Sequence, residues 1–290
     1  MPRPPVRCAP ARTCPAVTLT RSEVSTLLDA HGLSPSRALG QNFVVEPATV
    51  RKIARIAGVG TGDHVVEIGA GLGSLTLALA ETGANVTAVE VDRHVLPVLR
   101  SVLSERAPAV RLLEGDAMTL EWASQLEPPD ASWHLVANLP YNVATPLVLD
   151  VLDHVPAVVE LLVLVQREAG ERLAASVGDP AYGIPSVKVA YHATAELAGR
   201  VGPSVFVPKP KVESVLVRIR RRPDGPATDA DPARLFTLVR AGFGHRRKML
   251  RRSLAALVDA EAFVTAGVAP TARAEELDVV AWGRLAAAAP

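Results

Sequence analysis

Asparagine, proline and tyrosine crowd together where an apolar run ends, in Asn138-Leu139-Pro140-Tyr141. The asparagine carboxamide offers an acceptor oxygen and a donor NH2. Pro140 fixes its own φ near about −65° and has no N–H to give, which favours a rigid, non-helical loop with carbonyls turned toward a ligand. Tyr141 supplies a flat face for a planar guest. An exocyclic amine on an aromatic ring could place its two N–H bonds on loop oxygens while its ring stacks on the tyrosine. Taken alone, these four residues describe an ordinary strand-to-helix loop equally well, so the flanking chain decides.

Upstream, Gly69-Ala70-Gly71-Leu72-Gly73 follows the strand pattern His64-Val65-Val66-Glu67-Ile68 and precedes an apolar helical stripe over 74–81. Glycines there let the backbone approach a ligand closely, with helix N–H groups facing it. The spacing Gly-x-Gly-x-Gly differs from the Gly-x-Gly-x-x-Gly of dinucleotide folds. A second strand, Asn85-Val86-Thr87-Ala88-Val89, ends in Glu90, where a carboxylate can accept both hydroxyls of a ribose. A third, over 110–113, ends in Glu114-Gly115-Asp116, where Asp116 can reach an adenine amino group. Glu67 is expected to add negative charge. Acids at successive strand ends, with no lysine placed for phosphates, suit a cationic nucleoside better than a pyrophosphate. S-adenosylmethionine, with its sulfonium, is that nucleoside.

Such residues must be held by an open α/β sheet, which binds ligands at the carboxyl ends of its strands. Strand patterns recur over 64–68, 85–89, 110–113, 134–137 and 158–165, with helical patterns over 74–81, 145–155 and 168–176. Longer strands are expected over 187–200 and 212–220, joined by Phe206-Val207-Pro208-Lys209-Pro210-Lys211 as a closing antiparallel pair. The alternation predicts a Rossmann-like α/β fold, a mostly parallel sheet with helices on both faces. Helices are also expected over 20–31 and 47–57. Residues 223–231 read as a turn-rich linker. Beyond it come only helices, over 233–257, 261–265 and 274–288. The expected organisation is a disordered lead (1–19), a cofactor-binding domain (20–222), the linker, and a small all-α domain (232–290).

Composition narrows the partners. Half of the 290 residues are apolar, but no run approaches the ~18 of a membrane helix. The first residues carry no apolar core of a secretory signal. Cys8 and Cys14 are the only cysteines, and both lie in the lead. A cytoplasmic, disulfide-free protein without a metal site is expected, with monomer as the default state. The net charge of +1 hides an asymmetry: 207–252 holds thirteen basic against four acidic side chains, a net +9. A basic lobe on an otherwise acidic chain points to a bound polyanion. Lys209, Lys211, Arg246, Arg247, Lys248 and Arg251 are its expected phosphate contacts.

Asn-Leu-Pro-Tyr resembles the (Asn/Asp)-Pro-Pro-(Tyr/Phe) signature of enzymes that methylate amino groups of nucleobases or amides. Further blocks match in order and spacing: Leu39-Gly40-Gln41-Asn42-Phe43, Val66 to Gly73, Glu90-Val91-Asp92, Gly115-Asp116-Ala117, Gln166-Arg167-Glu168 and Tyr182-Gly183. Phe206 to Ser214, Phe243 to Lys248 and Arg273-Ala274-Glu275-Glu276-Leu277 complete the set. From about residue 38 to 285 the chain resembles the KsgA/RsmA family of ribosomal RNA adenine N6,N6-dimethyltransferases. Departures are Val44 for leucine, Ala70 for proline, Gly170 for alanine and Ile184-Pro185 for Arg-Leu.

The resemblance implies that Asn42, Val44, Gly69, Glu90, Asp116 and Asn138 line the cofactor pocket. It also implies a substrate, two adjacent adenosines in the 3′-end hairpin loop of 16S rRNA, within the immature small (30S) ribosomal subunit. The implied chemistry is direct displacement, with Asn138 Oδ1 and the Leu139 carbonyl holding the amine, Tyr141 stacking and Phe43 capping the pocket. Two rivals remain: an Erm-type dimethylase of large-subunit rRNA, and an RNA-binding assembly factor that no longer methylates.

Overall fold

The computed structural model describes residues 18–36 and 39–289. Residues 1–17, with Cys8 and Cys14, lie outside the described residues. Thr18 and Leu19 do not belong to a disordered lead: each is only 1% exposed, and Leu19 packs with Val24 and Leu28. They lead into α1 (Arg21–Ala30), which Thr20 and Glu23 cap reciprocally, Glu23 Oε2 taking the Thr20 N–H at 2.8 Å.

The chain continues through β1 (Phe43–Val44), α2 (Pro47–Ala57), β2 (His64–Ile68), α3 (Ser74–Ala80), β3 (Asn85–Glu90), α4 (Leu96–Arg106) and β4 (Arg111–Glu114). Next come α5 (Trp122–Gln125), β5 (Trp133–Asn138), α6 (Ala144–His154), β6 (Val158–Gln166), α7 (Arg167–Ala174) and α8 (Ile184–His192). β7 (Ala193–Val201), β8 (Phe206–Val207) and β9 (Ser214–Arg221) complete the strands. The main sheet runs β4-β3-β2-β5-β6-β9-β7, and β9 alone runs against the direction of the other strands. Its central strands β5 and β6 are apolar on both faces, as expected where a sheet is covered twice. Along β5, Leu135 and Ala137 face one core while Val136 faces another. Strand order turns back between β2 and β5, which opens a crevice at their carboxyl ends.

Three local features are set by tertiary context. The stretch from 187, expected as a strand, begins as helix α8. Pro185 sits in its first turn, and Ser186 Oγ takes the Gly183 N–H at 3.0 Å while donating to the Arg172 carbonyl at 2.6 Å. Val187 and Tyr191 then bury against the C-terminal helices, an anchor invisible to local periodicity. The short pair β1–β8 also has no sequence signature of its own.

Third, the single helix expected over 233–257 breaks. α9 (Pro232–Gly244) stops at a turn, and α10 (Leu250–Ser253) is one short piece. Trp282 packs so tightly on Gly242 that a Cβ there would sit 2.6 Å from its ring. α11 (Ala260–Thr265) follows, then α12 (Val279–Ala288), started by Asp278 accepting the Ala281 N–H at 2.7 Å. These helices share one apolar cluster with Tyr182, Val187 and Tyr191, so the core crosses the expected linker. The Tyr182 hydroxyl adds a bond to the Leu277 carbonyl at 2.9 Å. Gly170 has a packing reason as well: a Cβ would meet Val215 Cγ2 at 2.3 Å, so α7 lies on β9 only without one. No helix among the described residues is long and apolar enough to cross a membrane.

Candidate active site

At the end of β5 the Leu139 N–H still pairs with the Leu164 carbonyl at 3.1 Å, extending the β6 ladder one residue past the strand. The Pro140 carbonyl is consumed by the first turn of α6, accepting from Val143 and Ala144 at 3.1 and 3.0 Å. The Leu139 carbonyl accepts no backbone hydrogen bond among the described residues. Asn138 donates its Nδ2 to the Asn42 carbonyl at 2.8 Å. That bond commits the NH2 of the carboxamide and leaves Oδ1 as its acceptor.

Asn42 belongs to a segment laid across the strand ends. Gln41 ties it down, donating Nε2 to Asp92 Oδ2 at 2.8 Å while its Oε1 accepts the Ser36 N–H at the same distance. β1 pairs with β8, and the Val45 N–H reaches the Val205 carbonyl at 2.9 Å. Under this segment lies a cavity of about 210 Å³. One wall is Leu39, Gln41, Asn42 and Phe43, and the floor is Gly69 and Gly71. Glu90, Asp116 and Met118 stand at the ends of β3 and β4, facing Asn138, Leu139, Pro140 and Asn142.

Gly71 is required by the close approach of Phe43. Its φ is +58°, and a Cβ would lie 2.9 Å from the Phe43 ring. The Gly71 N–H donates to Glu90 Oε2 at 2.7 Å, and Glu90 Oε1 accepts from Val91 and Asp92, each at 2.9 Å. Burial raises the Glu90 pKa, and these backbone donors oppose the rise. The carboxylate thus sets the glycine turn and still has a lone pair on Oε2 for a hydroxyl. Asp116 Oδ1 takes the Met118 N–H at 2.9 Å, leaving Oδ2 for a ligand N–H.

Three expected residues do not line the cavity. Val44 points to the opposite face from Phe43, as neighbours on a strand do, and packs with Val50, Leu75 and Phe206. Glu67 is 1% exposed inside β2, and Oε2 has no hydrogen-bond partner among the described residues. Burial, with the Glu90 charge nearby, pushes its pKa up to about 8. Glu67 is therefore mostly protonated at neutral pH and does not supply the negative charge expected of it. Tyr141 is half-buried beside the cavity, its hydroxyl 2.8 Å from Ser214 Oγ.

Lys209 and Lys211 are exposed between β8 and β9, and Arg247, Lys248 and Arg251 are exposed between and along α9 and α10. Arg246 differs. Its Nε reaches Glu275 Oε2 at 2.5 Å and its Nη2 donates to the Pro180 carbonyl at 3.0 Å. Local sequence gave no sign of Gln41, Asn142 or Ser214 as parts of this arrangement, although Gln41 and Ser214 lie within the matching blocks.

Residues 33–288 match the protein family described as Ribosomal RNA adenine dimethylase. The chain is 45% identical to Ribosomal RNA small subunit methyltransferase A of Bifidobacterium adolescentis, covering 89% of each chain. It is 44% identical to the protein of that name from Nocardia farcinica, covering 94% of this chain and 96% of that one. Among solved structures it resembles a dimethyladenosine transferase from Plasmodium falciparum, with TM-score 0.69 and 24% identity over 83% of this chain and 94% of that one. It also resembles the 23S rRNA methyltransferase ErmE, with TM-score 0.65 and 25% identity over 85% and 98%.

Proposed function

This chain belongs to the ribosomal RNA adenine dimethylase family, and on that premise we propose that it methylates N6 of two adjacent adenosines in 16S rRNA. The methyl donor is S-adenosylmethionine, the products are N6,N6-dimethyladenosines in the 3′-end hairpin loop, and the substrate is the immature small subunit. Relatives at 44–45% identity carry the small-subunit name, whereas the large-subunit enzyme is only 25% identical. That difference favours the small-subunit reading.

The cavity suits the cofactor. Among the described residues no lysine or arginine lines it, which disfavours a pyrophosphate, while Glu90 and Asp116 offer acceptors to a ribose and to an adenine amine. When bound, the cofactor supplies an electrophilic methyl on a positive sulfur. The observation that carries the reading is the bond from Asn138 Nδ2 to the Asn42 carbonyl. It turns the carboxamide so that Oδ1 is its acceptor, beside a Leu139 carbonyl that accepts no backbone bond among the described residues. Two acceptors match the two N–H groups of an adenine amine. Held by both, the nitrogen is drawn toward tetrahedral geometry and its lone pair is released from the ring. No general base is needed first, because those protons become acidic only once nitrogen turns cationic. Positioning of this kind can contribute roughly 7–11 kcal/mol, with preorganised dipoles adding to it. The target base must leave its stack, at least cost in a loop.

The test is mass spectrometry of rRNA fragments from unmodified small subunits incubated with the protein and S-adenosylmethionine. Two adjacent 3′-end adenosines, each heavier by two methyls, are expected. Methylation of 23S rRNA instead would support the Erm-type reading, and tight binding without methyl transfer would support an assembly factor.

A further inference from the structure

Tyr141 is the one aromatic residue of the Asn138–Tyr141 loop, yet its hydroxyl is not turned to the solvent. It lies 2.8 Å from Ser214 Oγ, and Ser214 is fully buried at 0% exposure. Ser214 opens β9, paired with Gln166 on one side and Val201 on the other. The residue before it is clamped twice. The Arg167 N–H donates to the Glu213 carbonyl at 3.0 Å, and the Arg167 guanidinium pairs with the Glu213 carboxylate at 3.2 Å. The serine hydroxyl is therefore a fixed point on the sheet, out of reach of competing water.

A tyrosine ring swings about its Cα–Cβ bond and spins about its Cβ–Cγ bond, and the hydroxyl oxygen lies on the second of these axes. One hydrogen bond there therefore fixes the direction of the ring's long axis, which the swing about Cα–Cβ would otherwise leave open. Burial raises the Tyr141 pKa, so the phenol keeps its proton and can donate. Stacking on a base requires the ring in one place, its axis set to within roughly 10–20° as for other preorganised groups. The proline before Tyr141 restrains the backbone but leaves the ring free.

We propose that Ser214 is a positioning residue, whose hydroxyl fixes the long axis of Tyr141, and so the place of its ring, for stacking on the adenine held by Asn138. This rests on the reading that Tyr141 contacts the target base. It links the two parts of the site: the strand that starts at Ser214 is preceded directly by the loop bearing Lys209 and Lys211.

The experiment compares Ser214→Ala, Tyr141→Phe, their double variant and Tyr141→Ala in the full-length protein. Single-turnover methyl transfer to unmodified small subunits is measured alongside the Kd for S-adenosylmethionine. Ser214→Ala and Tyr141→Phe should each slow transfer roughly three- to tenfold, the worth of one hydrogen bond. The double variant should be no slower than either single one, and cofactor Kd should not move. Losses that multiply in the double variant would show the two hydroxyls acting separately and overturn the proposal. So would a Ser214→Ala protein that melts earlier but transfers at full rate, since the serine would then serve the fold alone. Full-rate transfer by Tyr141→Ala is a different failure, because it removes the stacking role from Tyr141 itself.

Discussion

The cavity at the strand ends and the basic segment at 246–252 solve recognition in opposite ways. Around the cavity, the polar groups that could meet a ligand also hold other parts of the protein. Asn138 is tied to Asn42, Glu90 carries three backbone N–H groups, and Gln41 grips Asp92. Along the basic segment, Arg247, Lys248, Arg251 and Arg252 are exposed, with no side-chain partner among the described residues. The cavity is organised before its ligand arrives, so its residues should govern rate and cofactor affinity. The segment offers mobile charge, so its residues should govern affinity for RNA and its salt dependence.

The sharpest break of that comparison is at Asn138. Asn138→Ala removes the acceptor on the amine and also the bond to Asn42. Transfer should fall by at least about a hundredfold, as when one preorganised dipole is lost elsewhere. RNA binding, measured by filter retention, should stay within about twofold. A variant that transfers normally would show that the amine is held elsewhere.

Next is joint neutralisation of Arg247, Lys248 and Arg251 to alanine. Each lost phosphate contact should flatten the plot of log K against log salt by about one unit. Affinity at moderate salt should drop roughly tenfold or more, while the methyl-transfer rate at saturating RNA stays unchanged. An unaltered salt slope would mean that these side chains face away from the RNA.

The same contrast explains what the sequence could disclose. Local strand periodicity and the acids at strand ends placed Gly69, Gly71, Glu90 and Asp116 around one cavity, because backbone direction alone brings parallel strand ends together. Tertiary partners were illegible. Nothing near residue 187 shows that Val187 and Tyr191 bury against the C-terminal helices α9 to α12, so α8 reads locally as strand. Val44 and Phe43 are adjacent apolar letters, yet they face opposite cores. Arg246, Arg247 and Lys248 are three successive cations, and only the fold shows that the first already has an acid.

Glu67 is the buried extreme of the comparison, and its effect is on stability. Its folded pKa, about 8, lies above the ordinary 4.5, so the folded protein holds that proton more tightly. This stability is fully present below about pH 4.5 and is lost as pH rises through 8. Glu67→Gln keeps the shape and removes the titration. The wild-type Tm should fall more steeply than that of the variant between about pH 5 and 8 and run parallel to it above. At pH 9 the variant should be the more stable of the two. Tm profiles parallel throughout would show that Glu67 ionises without penalty.

The smallest expected effect gives the finest cut, because it falls between neighbours. Arg246 ties the loop at Pro180 to the turn at Glu275, close to the bond from Tyr182 to Leu277. Its side chain is 43% exposed, so the ion pair is screened and contributes at most about 1 kcal/mol. Arg246→Ala should lower Tm slightly and leave the RNA salt slope alone. Arg247→Ala should do the reverse, taking about one unit from the slope with no change in Tm. Equal slope losses from the two variants would mean that the Glu275 pair opens when RNA binds. Arg246 would then belong with the mobile charges, and the division between held and free groups would fail at the position where it is drawn most finely.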